Sequence, residues 1–562
     1  MSDARRQRVA RAAGLLRGQV RAPFAASAGT LVLLWASLTP SLMPRTALFQ
    51  ALLSGLCMLA GYAAGALAGW LVRSCGGRLA GRARMVAWRA LAVAGGVGSL
   101  VALGFSLRWE NEVRGLVEVD RVGPGHLVLT VLLSAVLFVL LLALSRAIRA
   151  LGRVIGRFVG RYLPPAASTV IGGLLAAALV YALAVDVGGN RLLGALDSSF
   201  ATINDELRTD VPAPTAPELT AGPASDQDWD DLGRQGRIFV ANAPTAADID
   251  AFISETQAPA KQPVRAYVGA GPEGVHIREE ALAAAAELEA LGGFERAVIN
   301  VATGTGRGWV NENQAQALEF MWGGDTATVS LQYSYFPSWM SFVLDRQRSQ
   351  DAGRALFDAV YARWLEIPEP ERPLLVVSGE SLGSFGGEAA FSGAQDLATR
   401  TDGALFVGPT ADNELWSRFT EEREQGTPQV LPVLDGGETV RFADEPADWE
   451  RPGAWEGTRI GYLQHANDPI TWWSPDVAWD RPDWLAEERG RDVSPNVRWI
   501  PGVTMLQLGV DQFSANSVPG GQGHQFGTAP VFAWAAILPP PGWTDQRTAE
   551  LAEVIRARRS IG

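Results

Sequence analysis

The chain has 562 residues and a formal net charge of −12, but the charge is unevenly placed. Residues 1–190 carry 20 Arg against 6 acidic residues, whereas residues 191–562 carry 28 Lys and Arg against 54. The chain as a whole is 48% hydrophobic; its basic, apolar front reads as membrane material and its rear as an acidic folded domain, which argues against nucleic acid as a partner.

Residues 1–22 are rich in Arg (Arg5, Arg6, Arg8, Arg11, Arg17, Arg21) and read as a basic cytoplasmic segment. Five apolar stretches follow, near 24–43, 47–73, 87–107, 126–146 and 168–189. Each approaches the ~20 residues that cross a bilayer core, so 23–190 is expected to be a transmembrane helical domain. Because more spans follow the first, the N-terminus is not a cleaved signal peptide. Pro40 and Pro44 suggest that the first span is kinked or partly re-entrant. Arginines cluster at 78–84 and 146–161, and the positive-inside rule puts those loops in the cytoplasm. Five spans then carry the rear of the chain out of the cytoplasm; if the first does not cross, the sidedness reverses. No unpaired charge falls in the middle of a span, which weakens a channel or transporter reading. Gly61, Ala64, Gly65 and Gly69 suggest close helix packing.

Residues 191–234 read as a Pro-rich linker, with Val211–Pro223 as its most extended part. From 235 onward, short β-like runs (237–240, 264–269, 297–301, 329–334, 374–377, 403–408, 459–464, 503–508) alternate with helical stretches. That alternation predicts a doubly wound, mostly parallel sheet.

Leu374–Val377 runs into Gly379-Glu-Ser-Leu-Gly383, which opens a helix. Strand, sharp turn and helix are the setting a G-x-S-x-G nucleophile elbow needs, and they make Ser381 the candidate nucleophile. Further strands end at His465-Ala-Asn-Asp-Pro469 and lead on to Gly520–Gly527, which contains His524. The order Ser381, Asp468, His524 is the order of an α/β-hydrolase triad, with His524 as base and Asp468 as its orienting acid. Asp412 is the alternative acid. Of the other histidines, His126 suits a span edge, His276 precedes the central strands, and His465 reads as a structural neighbour of the acid. An oxyanion hole would use the Leu382 N–H and one from the glycine-rich loop Ala302–Trp309, where Thr303, Gly304 and Thr305 are the candidates. Glu380 and Glu388 read as structural carboxylates, and Trp472-Trp473 as core residues or the wall of an acyl cleft. Cys57 and Cys75 are the only cysteines and lie in the front part. No spacing suggests a metal site, and no cofactor is expected.

With these pieces together, the chain resembles a family of actinobacterial membrane proteins. Those proteins join an N-terminal multi-span segment to a C-terminal α/β-hydrolase catalytic domain. The likeness rests on Thr303–Gly306, Gly379–Gly387, His465–Pro469 and Gly523–Gly527. It implies a serine hydrolase fixed in the plasma membrane, and some similar proteins are associated with hydrolysis of aminoacylated lipids. The expectation is therefore an extracytoplasmic esterase acting on a lipid or lipid-linked ester. An acyltransferase using the same acyl-enzyme, and a non-catalytic membrane scaffold or sensor, are the alternatives. The oligomeric state stays open.

Overall fold

The computed structural model describes residues 23–77, 80–161 and 211–558 apart from 254–258, 271–275, 337–339, 341–345, 452, 454 and 456, with isolated positions between 164 and 178. The predicted basic segment 1–22 lies outside the described residues, as does most of the fifth span. The chain forms two compact units.

The first unit comprises residues 1–181 with two later segments, Pro475–Arg481 and Ser494–Ser514. Its helices are α1 (Phe24–Ser37), α2 (Ala47–Ser74), α3 (Gly81–Leu116) and α4 (Pro124–Val159). The last three are long and apolar enough to cross a membrane, while α1 is a shorter apolar helix. The first predicted span thus stops at Ser37, and Leu38–Thr46, with Pro40 and Pro44, turns the chain instead. α1 and α2 approach backbone to backbone: a Cβ on Gly61 would fall 2.2 Å from the Gly29 carbonyl oxygen, and one on Gly65 2.1 Å from that of Ala25. Only glycine permits this contact.

The strand expected at 503–508 is instead a helix, α11 (Val503–Asp511), within this first unit. Leu, Met and Gln favour helix, and the buried positions Val503, Thr504, Gln507, Leu508 and Asp511 recur at helical spacing. Val503 and Val510 pack with Leu53 and Cys57 of α2. Asp511, fully buried, takes Arg45 Nε at 2.6 Å and the N–H groups of Leu42 and Met43. Glu112 near the end of α3 accepts from Ser494 Oγ at 2.6 Å and from Asn496. The Ser494–Ser514 segment therefore joins the end of the bundle formed by the 38–46 turn and the carboxyl end of α3.

The second unit is built on a seven-stranded parallel sheet of order β1-β3-β2-β4-β5-β7-β6. The strands are β1 (Val264–Val268), β2 (Val298–Thr303), β3 (Thr326–Leu331), β4 (Leu374–Glu380), β5 (Gly403–Val407), β6 (Val440–Ala443) and β7 (Arg459–Leu463). The central strands are buried on both faces, which explains their mostly apolar runs, interrupted by buried Asn300 in β2, whose Oδ1 accepts from Ser378 Oγ in β4. Helices α6 (Ile277–Ala290), α7 (Glu312–Met321), α8 (Arg346–Glu366), α9 (Leu382–Glu388), α10 (Glu414–Glu421), α12 (Ala529–Ile537) and α13 (Asp545–Ala557) cover the sheet. A fully buried pair, Arg265 and Glu319, fastens β1 to α7 with two bonds of 2.7 and 2.8 Å.

Two sequence expectations change here. Residues 237–240 belong to α5 (Gly233–Ala241), a short amphipathic helix whose apolar run mimics a strand. Within the predicted linker, residues 218–220 are not loose: Thr220 N–H donates to Arg265 O, Arg265 N–H to Glu218 O, and Tyr267 N–H to Thr220 Oγ1. This segment covers the edge strand β1, which would otherwise expose its backbone groups. The edge strand β6 went unread because Val-Arg-Phe-Ala is short and carries a charge.

Candidate active site

Apart from His524, which a later loop after helix α11 brings to Asp468, the candidate residues follow β2, β4, β5 and β7, four neighbouring strands, at whose carboxyl ends ligands of such sheets bind. Ser381 follows β4 with φ 55° and ψ −119°, a strained conformation for a residue with a side chain. Its N–H donates to Val407 O at 2.9 Å, holding it against β5. The turn needs its glycines. A Cβ on Gly379 would lie 2.3 Å from Gly383 O, and one on Gly383 2.2 Å from Thr303 O. The elbow is thus wedged directly against the β2 loop.

Asp468, on the loop after β7, is fully buried. It accepts from the Ile470 N–H, from Thr471 Oγ1 and, at 2.6 Å, from His524 Nδ1. A carboxylate only accepts, so Nδ1 carries the proton and Nε2 presents its lone pair. Burial pulls the His524 imidazole toward a lower pKa, but the Asp468 charge and hydrogen bond, with Glu380 adding to them, leave it raised. Nε2 is buried and makes no hydrogen bond, so the Ser381 Oγ–Nε2 bond is open in this state. Such bonds commonly tighten only with substrate in place.

The rest of the His465–Asp468 motif holds the histidine loop. His465 Nδ1 donates to Gly523 O at 2.8 Å, and Asn467 Oδ1 accepts from the Gly523 N–H at 2.9 Å. Asn467 Nδ2 reaches Gln522. His465 stacks on Phe526 at 4.4 Å, and Phe526 meets the His524 ring edge-on at 5.6 Å. Burial lowers the pKa of His465, which favours a neutral positioning group. The sequence pointed to His465 as a neighbour of the acid; the role of Asn467 was missed, although its place in the same motif was the available signal. Gly408, after β5, was also missed: a Cβ there would sit 2.6 Å from His524 Cε1.

Among the oxyanion candidates, Leu382 opens α9, so its N–H has no intrahelical partner. Thr305 N–H is already committed to Trp309 O at 2.8 Å, which corrects its candidacy. Thr303 ends β2 in register with Gly379, leaving Gly304 as the residue beyond the strand end. Asp412 pairs with Arg346 at a half-exposed position and is not joined to His524. Together with Phe385 and Asn413 it lines a polar cleft of about 650 Å³ that Ser381 does not line. Trp472 is core: it packs on Trp416 and Trp484 and donates to His465 O. Glu388 is buried, bonded by Leu415 N–H and Tyr462 Oη, and pushed up by burial to about 7. Glu380 is bonded by Asn311 and pushed up by burial to about 6, with His524 holding it down. No group of metal ligands forms among the described residues.

A parallel sheet with an elbow after β4, an acid after β7 and a histidine from a later loop bonded to that acid defines the α/β-hydrolase class. Family models agree: residues 264–551 match an alpha/beta-hydrolase family, and residues 38–244 match the N-terminal part described for that family. The chain belongs to this alpha/beta-hydrolase family. No curated protein and no solved structure matches it.

Proposed function

We propose that the protein is a membrane-anchored serine hydrolase that cleaves a lipid or lipid-linked ester, aminoacylated lipids among the candidates, through an acyl-enzyme on Ser381. The observation that carries this reading is the buried Asp468–His524 pair, whose free Nε2 shares the carboxyl edge of the sheet with the strained Ser381. In this scheme Nε2 removes the Ser381 proton as Oγ attacks the ester carbonyl, and Asp468 stabilises the imidazolium. The Leu382 and Gly304 N–H groups would receive the oxyanion. His524 then protonates the leaving alcohol, and water, activated by the same nitrogen, releases the acid.

The first unit, taken by itself, supports a sidedness. Arg73, Arg82, Arg84 and the 146–161 arginines lie toward one end of its helices, whereas Ser494–Ser514 joins the other. The positive-inside rule assigns the basic end to the cytoplasm of a plasma-membrane protein and Ser494–Ser514 to the outside. α4 ends at the basic side, so this reading requires one more crossing between 160 and 211.

The test is ester hydrolysis by the full chain in bilayer discs, across lipid and aminoacyl-lipid esters, beside Ser381→Ala. Turnover of one class that is lost in Ser381→Ala is expected; equal turnover by both proteins would refute the proposal. A C-terminal reporter active only in the cytoplasm would refute the topology.

A further inference from the structure

A second cavity, of about 440 Å³, lies among the four helices of the first unit, far in sequence from the hydrolase residues. Its size falls within the range of ligand pockets, roughly 300–1,000 Å³. Leu31, Gly96 and Phe138 line it, together with Tyr62, Trp88 and Arg146. Trp88 lies early in α3 and Arg146 late in α4, so both belong to the basic end of these antiparallel helices.

Three features point to a ligand. The walls are overwhelmingly apolar, yet the Arg146 guanidinium has no hydrogen-bond or ion-pair partner among the described residues, nor do the Tyr62 hydroxyl and Trp88 Nε1 have acceptors. The arginines that follow, Arg149, Arg153 and Arg157, bond only to groups of their own helix, leaving this end with uncompensated positive charge. Gly96 is exposed and a Cβ there would meet nothing within 4 Å, so the pocket is an open groove at this point, within reach of surrounding lipid. Apolar walls with unspent donors and a cation at one end match one chemistry: an acyl chain ending in a phosphate.

We propose that this cavity binds one anionic glycerophospholipid from the leaflet facing the basic loops, an acyl chain between the helices and the phosphate on Arg146. The proposal rests on the helices lying in a bilayer and not on the hydrolase reading. Lipid retention by a protein with no esterase activity would leave it standing.

The test uses the full chain extracted from membranes in mild detergent, with co-purified phospholipid quantified by mass spectrometry. Bilayer discs containing phosphatidylglycerol or phosphatidylcholine then report head-group preference. Gly96→Leu fills the space on a helix that tolerates leucine better than glycine, and should retain about tenfold less lipid, with an unchanged melting temperature. Arg146→Gln should keep the acyl chain but lose about fivefold of the preference for phosphatidylglycerol, the worth of one arginine at a membrane surface. Equal retention by wild type and Gly96→Leu would overturn the proposal, as would an unchanged preference in Arg146→Gln. A photoreactive side chain at Ala92 that captures residues 168–189 instead of lipid would overturn it too, because the chain itself would then be the occupant.

Discussion

Replacing Gly408 by alanine should disable the site while leaving the fold largely intact. The new Cβ would stand 2.6 Å from His524 Cε1 and 3.1 Å from Nδ1, with Phe526 Cε2 at 2.8 Å closing another side. Ordinary contact begins near 3.4 Å, so the imidazole must retreat by about 0.8 Å. That movement strains the 2.6 Å bond to Asp468 and carries Nε2 away from Ser381. Misplacing a catalytic group by about 1 Å costs on the order of 10²-fold in rate, equivalent to about 2.7 kcal/mol of barrier. Gly408 also has φ +54°, and alanine in that region costs about 1–2 kcal/mol of stability. Gly426→Ala is the control, because Gly426 has φ +94° and nothing within 4 Å of its Cβ position. Both variants should melt slightly earlier, and only Gly408→Ala should lose hydrolysis of a short-chain nitrophenyl ester. Equal activity in the two would refute the placement of His524.

Asp468→Asn should cost about 10⁴-fold in kcat, since amide and carboxylate favour opposite imidazole tautomers. In wild type the base must be neutral, so kcat/KM should fall as pH drops through the raised His524 pKa, above the ordinary histidine range of about 6.5. Asp468→Asn should move that acidic limb to lower pH, and a limb that stays put would show that Asp468 does not act on His524. Asn467→Ala frees Gly523 and should slow turnover about tenfold or more, with KM little changed in steady-state kinetics. Asp511→Ala leaves the Arg45 guanidinium buried without its carboxylate and should cost about 3–5 kcal/mol. The double replacement Arg45→Met with Asp511→Leu should recover most of the melting temperature in detergent.

The parts of the site that could be read in the sequence are coded locally. A buried β-branched run before Gly379–Gly383 specifies strand, elbow and helix within a few residues, and His465–Pro469 follows its strand as directly. The sheet itself was legible because its central strands are mostly apolar on both faces. What escaped depends on contacts distant in sequence. Helix Val503–Asp511 is decided by packing on Leu53 and Cys57 and by Arg45, more than four hundred residues earlier. Thr305 looked like a free donor because nothing local reveals that its N–H closes on Trp309 O. The Pro-rich 211–223 stretch has linker composition, yet Thr220 and Glu218 find an open strand edge at Arg265. Trp472-Trp473 reads equally as core or cleft until Trp416 and Trp484 are seen against Trp472.

The most direct test of the proposed serine chemistry is a fluorophosphonate adduct mapped by peptide mass spectrometry on the detergent-solubilised full chain, beside Ser381→Ala and His524→Ala. The expected result is one adduct, on Ser381, absent from Ser381→Ala and strongly slowed in His524→Ala. Folded wild-type protein that takes no label, or that is labelled at another residue with Ser381 unmodified, would contradict it.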